Sequence, residues 1–175
     1  MSYIYINGLT EDEILDFSKA MAKSGDMVDL SDIGDNIVDQ HSTGGVGDKA
    51  TLLLMPILAS LGVPVAKITA RGYGVSGGTI DKLESIPGFR ADLTSEEFRK
   101  NLKKVGVCIM NQGLNFAPAE SKIYKLRNEI GCENSLPIIS SSLLSLKLAT
   151  GSNKIVFDIT CGKGTYISTR EEAKR

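Results

Sequence analysis

One segment gathers most of the groups that could do chemistry: Asp39-Gln40-His41-Ser42-Thr43-Gly44-Gly45-Val46-Gly47-Asp48, which holds the only histidine of the sequence. An apolar run follows at once, Leu52-Leu53-Leu54-Met55 with Ile57, Leu58 and Leu61. A polar glycine loop that runs into an apolar helix makes a backbone cradle for an anion. Glycines let the chain approach a phosphate closely, and the amides of the helix start point at it. A second stretch has the same character: Ala70-Arg71-Gly72-Tyr73-Gly74-Val75-Ser76-Gly77-Gly78-Thr79. Each loop sets hydroxyls beside glycines, Ser42 and Thr43 in the first, Ser76 and Thr79 in the second. Lys67, Thr69 and Arg71 flank the second. Hydroxyls and amides that converge from two loops can hold a phosphate with little formal charge.

Nucleotide signatures do not fit. Gly72-x-Gly74-x-x-Gly77 matches the dinucleotide fingerprint literally, but that fingerprint needs a long helix after it, and Pro87-Gly88 allows only a short one. The first loop lacks the Gly-Lys-Ser/Thr of a P-loop.

The elements that must position these loops follow from periodicity and punctuation. Thr10 and Glu13 form a capping box for a helix with Ile14, Leu15, Phe17, Ala20 and Met21 on one stripe, stopped by Gly25. Ile37-Val38 opens a strand before the first loop, and a helix runs from about Asp48 to Leu61. Val63 to Thr69 reads as a buried strand that delivers the second loop. Thr79 caps a short helix, Ile80 to Ser85. Thr94 and Glu97 form another capping box, ahead of Phe98 and Leu102, and Val105 to Met110 is a further strand. Pro118 and Pro137 each open a helix, the second ending at Gly151. Lys154 to Thr160 is a strand that runs into a third glycine loop, Gly162-Lys163-Gly164, and a last helix is expected from near Ser168. Strands alternating with helices predict an α/β fold, a sheet with parallel strands flanked by helices. Both main loops then lie beyond the carboxyl ends of strands, where open sheets bind ligands. Residues 118–150 are helical without a strand, as in a separate helical lobe.

Composition narrows the partners. Lys plus Arg number 20 against 21 Asp plus Glu, so bulk charge points to no nucleic acid and no membrane. Cys108, Cys132 and Cys161 are odd in number and widely spaced, which speaks against a disulfide framework or a zinc site and fits a reducing, cytoplasmic setting. The first residues lack the pattern of a signal peptide.

The combination of Asp39-x-His41-Ser42-Thr43-Gly44-Gly45-Val46-Gly47-Asp48 with Arg71-Gly72-x-Gly74 and Gly77-Gly78-Thr79-x-Asp81-Lys82-Leu83-Glu84-Ser85-Ile86-Pro87-Gly88-Phe89 resembles the thymidine/pyrimidine nucleoside phosphorylases. Ala117-Pro118-Ala119, Tyr124-x-x-Arg127 and Ser135-x-Pro137 extend the resemblance over essentially the whole chain. Family members are well over twice as long, so the chain is expected to be a central portion. Residues 1–30 and 118–150 would be a partial helical lobe, and 31–117 and 151–175 a partial α/β lobe. The resemblance implies phosphorolysis of a pyrimidine nucleoside, thymidine or uridine in type, to free base and pentose 1-phosphate. It implies a homodimer through the helical lobe and inorganic phosphate as co-substrate, with no organic cofactor. Ser42, Thr51, Lys67, Thr69 and Thr79 fall on phosphate-binding positions. Arg127 and Ser142 fall on pyrimidine-contacting positions, and His41 on the histidine that faces the departing base. An ordinary pKa near 6.5 would suit His41 to give a hydrogen bond or a proton. His41 and Arg127 are thus the expected catalytic pair.

Several positions depart from the family. Gln40 stands where the family has lysine, and Leu146 where a lysine touches the base; Lys147, one residue on, lies about 100° around a helix. Thr69-Ala70 replaces a Ser-Gly pair, and Val75 a histidine. Bacterial members often bind a monovalent cation near the first loop; Gly47 matches, but Lys49 replaces a threonine. The departures suggest altered substrate choice or weak activity. Two other readings compete: a phosphoribosyltransferase of the related fold, anthranilate type, using Asp48, Asp81 and Glu84 around Mg²⁺ and pyrophosphate, and a non-catalytic phosphate-binding fragment.

Overall fold

The computed structural model describes residues 1–72, 76–113 and 115–174. A four-stranded, all-parallel sheet in the order β3-β2-β1-β4 forms its centre, from β1 (Val38–Ser42), β2 (Val65–Thr69), β3 (Val107–Asn111) and β4 (Lys154–Asp158). The parallel α/β architecture expected from the alternation is present. Helix α3 (Ala50–Ser60) joins β1 to β2, α4 (Thr79–Glu84) and α5 (Ser95–Val105) join β2 to β3, and α6 (Pro118–Glu129) and α7 (Leu136–Thr150) join β3 to β4. The chain moves outward from β1 through β2 to β3, then returns to the other side of β1 with β4. The strand order therefore reverses at β1, and ligand crevices open at such a point.

β2, with a strand on each side, is buried along its whole length, including Lys67. Ala66 and Ile68 on β2 and Cys108 and Met110 on β3 pack with Phe98 and Leu102 of α5. The same cluster takes in Val28, Leu30, Phe116 and Leu146, so one core joins the sheet to α7. Helices α1 (Ser2–Asn7), α2 (Glu11–Ala22) and α6 lean on α7 or on each other. Both capping boxes form, Thr10 with Glu13 and Thr94 with Glu97.

Three local expectations change. β1 extends through His41 and Ser42, which the sequence placed in the loop; pairing with β4 as far as Ser42↔Asp158 holds these polar residues extended. Ser2–Asn7, given no element from sequence, is helical. Beyond Ser168 the described residues form only a 3-10 turn, Glu172–Lys174, where Glu172 accepts from the Ser168 amide.

Candidate phosphate and nucleoside site

The loops after β1 and β2 are held by their own backbones. Thr43 donates its amide to the Asp158 carbonyl at 3.0 Å, and its hydroxyl meets Thr160 Oγ1 at 3.0 Å. The Val46 amide donates to Gly164 at 2.9 Å, so the first and third glycine loops are stitched together. Gly45, at φ 135°, has no room for a side chain: a Cβ would meet Thr165 Cγ2 at 2.9 Å. In the second loop, Asp81 Oδ2 accepts from the Gly72 and Gly78 amides, each at 2.7 Å. That closure brings the two glycines so near that a Cβ on either would lie 2.3 Å from the other's nitrogen. Lys82 on α4 donates to the Asp48 carbonyl at 2.5 Å, tying the second loop to the first.

Between these loops and helices α6 and α7 lies a cleft of about 120 Å³. His41, Ser42, Thr51, Lys67, Thr69, Thr79, Arg127 and Ser142 all line it, so the structure brings every sequence-proposed site residue to one place. Leu146, read from sequence as standing at a base-contacting position, also lines the cleft, and Tyr124, Leu143 and Tyr166 complete walls that the sequence reading had not assigned. The helix-period spacing of Tyr124 and Arg127 was visible; Arg127 stacks over the Tyr124 ring at 4.6 Å. Gly74 and Val75 lie outside the described residues.

The floor of the cleft is charged and buried. Lys67 donates to the Gln40 backbone carbonyl, and burial, with Lys147 nearby, pushes its ammonium down to about 7. Lys147 does not line the cleft; it forms a fully buried ion pair with Asp39 and donates to the Ile68 carbonyl at 3.3 Å. Burial lowers the Lys147 pKa and raises that of Asp39. His41 departs from the expectation of an ordinary imidazole. Burial, then the Lys147 and Lys67 charges, hold it well below its usual titration range, so it is neutral near pH 7. It can donate an N–H hydrogen bond but carries no ready proton. Gln40 accepts from Thr51 Oγ1 at 2.8 Å and does not line the cleft, so the Thr51 hydrogen is spent inside the protein.

The carboxylates that a Mg²⁺-pyrophosphate site would need are engaged. Asp81 braces the loop, Glu84 pairs with Arg71 at 2.5 Å and Asp48 accepts from the Ala50 amide at 3.2 Å. At the first loop the Gly47 carbonyl accepts from the Lys49 ammonium at 2.7 Å.

The family model "Glycosyl transferase family, a/b domain" matches residues 34–174. The chain belongs to this family. Within the glycosyl transferase family, it is 46% identical over 171 residues to the pyrimidine-nucleoside phosphorylase of Geobacillus stearothermophilus, covering 98% of this chain and 40% of that protein. The pyrimidine-nucleoside phosphorylases of Staphylococcus haemolyticus and Staphylococcus aureus (strain bovine RF122 / ET3-1) are similar at 46% and 47%, with the same coverage. The chain therefore spans about 40% of the length of these relatives. Among the described residues no helix is long and apolar enough to cross a membrane.

Proposed function

We propose that this chain carries the phosphate-binding and base-contacting walls of a pyrimidine nucleoside phosphorylase, splitting thymidine- or uridine-type nucleosides with inorganic phosphate. The observation that carries this reading is the convergence of the two glycine loops and the α6–α7 side chains on one cleft at the strand-order reversal. Ser42, Thr69 and Thr79 would donate to phosphate, and the Lys67 ammonium would supply positive charge beneath it. Arg127 and Ser142 would hold the base edge. The pentose then lies between them, and phosphate attacks C1′ as the base departs. Negative charge grows on the base, and a neutral His41 N–H in a water-poor cleft stabilises it without a full proton transfer. Positioning and fixed dipoles carry the catalysis, with no covalent protein intermediate.

The Lys49 ammonium already places positive charge at the first loop, and turnover is expected without an added monovalent cation. Tyr3 and Ile6 on α1 are 74% and 77% exposed, and this apolar face supports a homodimer through the helical side of the molecule. A cytoplasmic setting suits the free cysteines. The test is phosphate-dependent release of thymine or uracil from the nucleoside by the full-length protein. Release of neither base would refute the reading. Binding of phosphoribosyl pyrophosphate only in the presence of Mg²⁺ would favour the phosphoribosyltransferase instead.

A further inference from the structure

The helix pair that forms the base side of the cleft contains a buried carboxyl group to which the proposed roles give no task. Glu120 is 1% exposed on α6, on the same helix face as Tyr124 and Arg127, which follow it by four and seven residues. Its Oε1 accepts the hydroxyl hydrogen of Ser142 on α7. Its Oε2 is buried with no hydrogen-bond partner among the described residues. Glu120 does not line the cleft, whereas Ser142 and Arg127 do.

We propose that Glu120 is a positioning residue that fixes the polarity of the Ser142 hydroxyl and so makes the cleft choose a pyrimidine with a carbonyl beside an N–H, the edge of uracil or thymine, over cytosine. The proposal rests on the phosphorylase reading above. It comes down to counting hydrogens. A serine hydroxyl has one hydrogen. With that hydrogen committed to Glu120, the Ser142 oxygen offers the cleft only lone pairs. The Arg127 guanidinium offers only N–H donors. Together they read an acceptor next to a donor: a ring carbonyl toward Arg127 and the N3–H toward Ser142. Cytosine has a bare N3 in place of the N–H. Whichever of its flanks faces Arg127, its N3 lone pair meets the Ser142 lone pair. A site built to accept an N–H rejects an analogue lacking it because its own buried polar group is left unpaired. Burial pushes the Glu120 carboxyl up to about 7, against the pull of Ser142 and Arg127. The carboxylate form accepts from Ser142 through Oε1, and a proton taken up at the free Oε2 leaves Oε1 an acceptor.

The experiment measures kcat/KM for uridine and cytidine in the full-length protein and its Glu120→Gln, Ser142→Ala and doubly substituted variants. Calorimetric binding of free uracil and cytosine runs in parallel. Wild type is expected to favour uridine strongly. Glu120→Gln keeps the volume but can donate from its amide to Ser142, releasing the serine hydrogen into the cleft. The uridine-to-cytidine ratio is expected to shrink by about tenfold or more, chiefly through KM. Ser142→Ala should shrink it similarly, and adding Glu120→Gln to that variant should change nothing further. Two results would overturn the proposal: a parallel loss on both substrates with the ratio intact, or a further change of ratio on the Ser142→Ala background. A wild-type protein that turns over neither nucleoside would refute the phosphorylase reading instead, and the uracil-to-cytosine binding ratio would still decide the role of Glu120.

Discussion

At the scale of the residue, burial decides what each polar group in the cleft can do with a proton. His41 was legible as a residue of the cleft, because its motif is long and specific. Its charge state was not, because that depends first on burial and then on the charge of Lys147, a residue 106 positions away whose partner only the fold reveals. Lys67 is the group in the cleft that titrates near neutrality. Its ammonium is present below about pH 7 and lost above it, so phosphate capture should weaken as pH rises through that value. Phosphate ionises in the same range, which makes Lys67→Arg the informative control, since a guanidinium stays charged. The alkaline fall of kcat/KM for phosphate is expected in wild type and should flatten in Lys67→Arg. An identical fall in both would assign it to phosphate alone. Gln40 gives a second prediction. Its amide takes the Thr51 hydrogen, so Gln40→Lys both frees that hydroxyl and adds a charge beside the cleft. It is expected to raise kcat/KM for phosphate by roughly tenfold, the worth of one charge-assisted hydrogen bond. No gain in phosphate saturation kinetics would mean that Gln40 is not the deficit.

At the scale of the element, the sequence was most readable where a local rule fixes the outcome. The capping boxes at Thr10 and Thr94 and the prolines at the starts of α6 and α7 are such rules, and the helices begin there. β1 was under-read because His41 and Ser42 are extended by pairing with β4, more than a hundred residues on, and no local preference of theirs announces it. The same distance hid the Asp39–Lys147 pair, which pins the last turn of α7 to β1 immediately before the cleft residues. An ion pair with both partners buried is neutral at best against an apolar pair of the same shape, yet costly to halve. Lys147→Met alone should destabilise the protein by about 3–5 kcal/mol in urea denaturation, because Asp39 is left buried without its partner. Adding Asp39→Asn should recover much of that loss. Equal stability of the single and double variants would show that the pair is not coupled.

At the scale of the whole molecule, one feature of the sheet remains unbalanced. β1 and β2 each have neighbours on both sides, but among the described residues β4 is hydrogen-bonded only to β1. Its side chains do not hide either: Ile155, Val156 and Phe157 are 39%, 57% and 39% exposed, and Ile159 just beyond is 47% exposed. Natural sheets cover or charge an edge of this kind, since unpaired N–H and C=O groups beside apolar side chains invite another strand. The 175-residue chain spans about 40% of the length of its relatives, and among its described residues this edge of the sheet is open. The 175-residue chain is therefore expected to associate with itself through this edge. Val156→Lys puts a charge on the most exposed of the apolar β4 side chains, where lysine is a common guard of edges. It should lower the apparent mass in light scattering while leaving the thermal midpoint within about a degree, since the residue has little packing to lose. Unchanged association in that variant would move the contact away from β4, and the exposed Tyr3 and Ile6 of α1 would then be the face to substitute next.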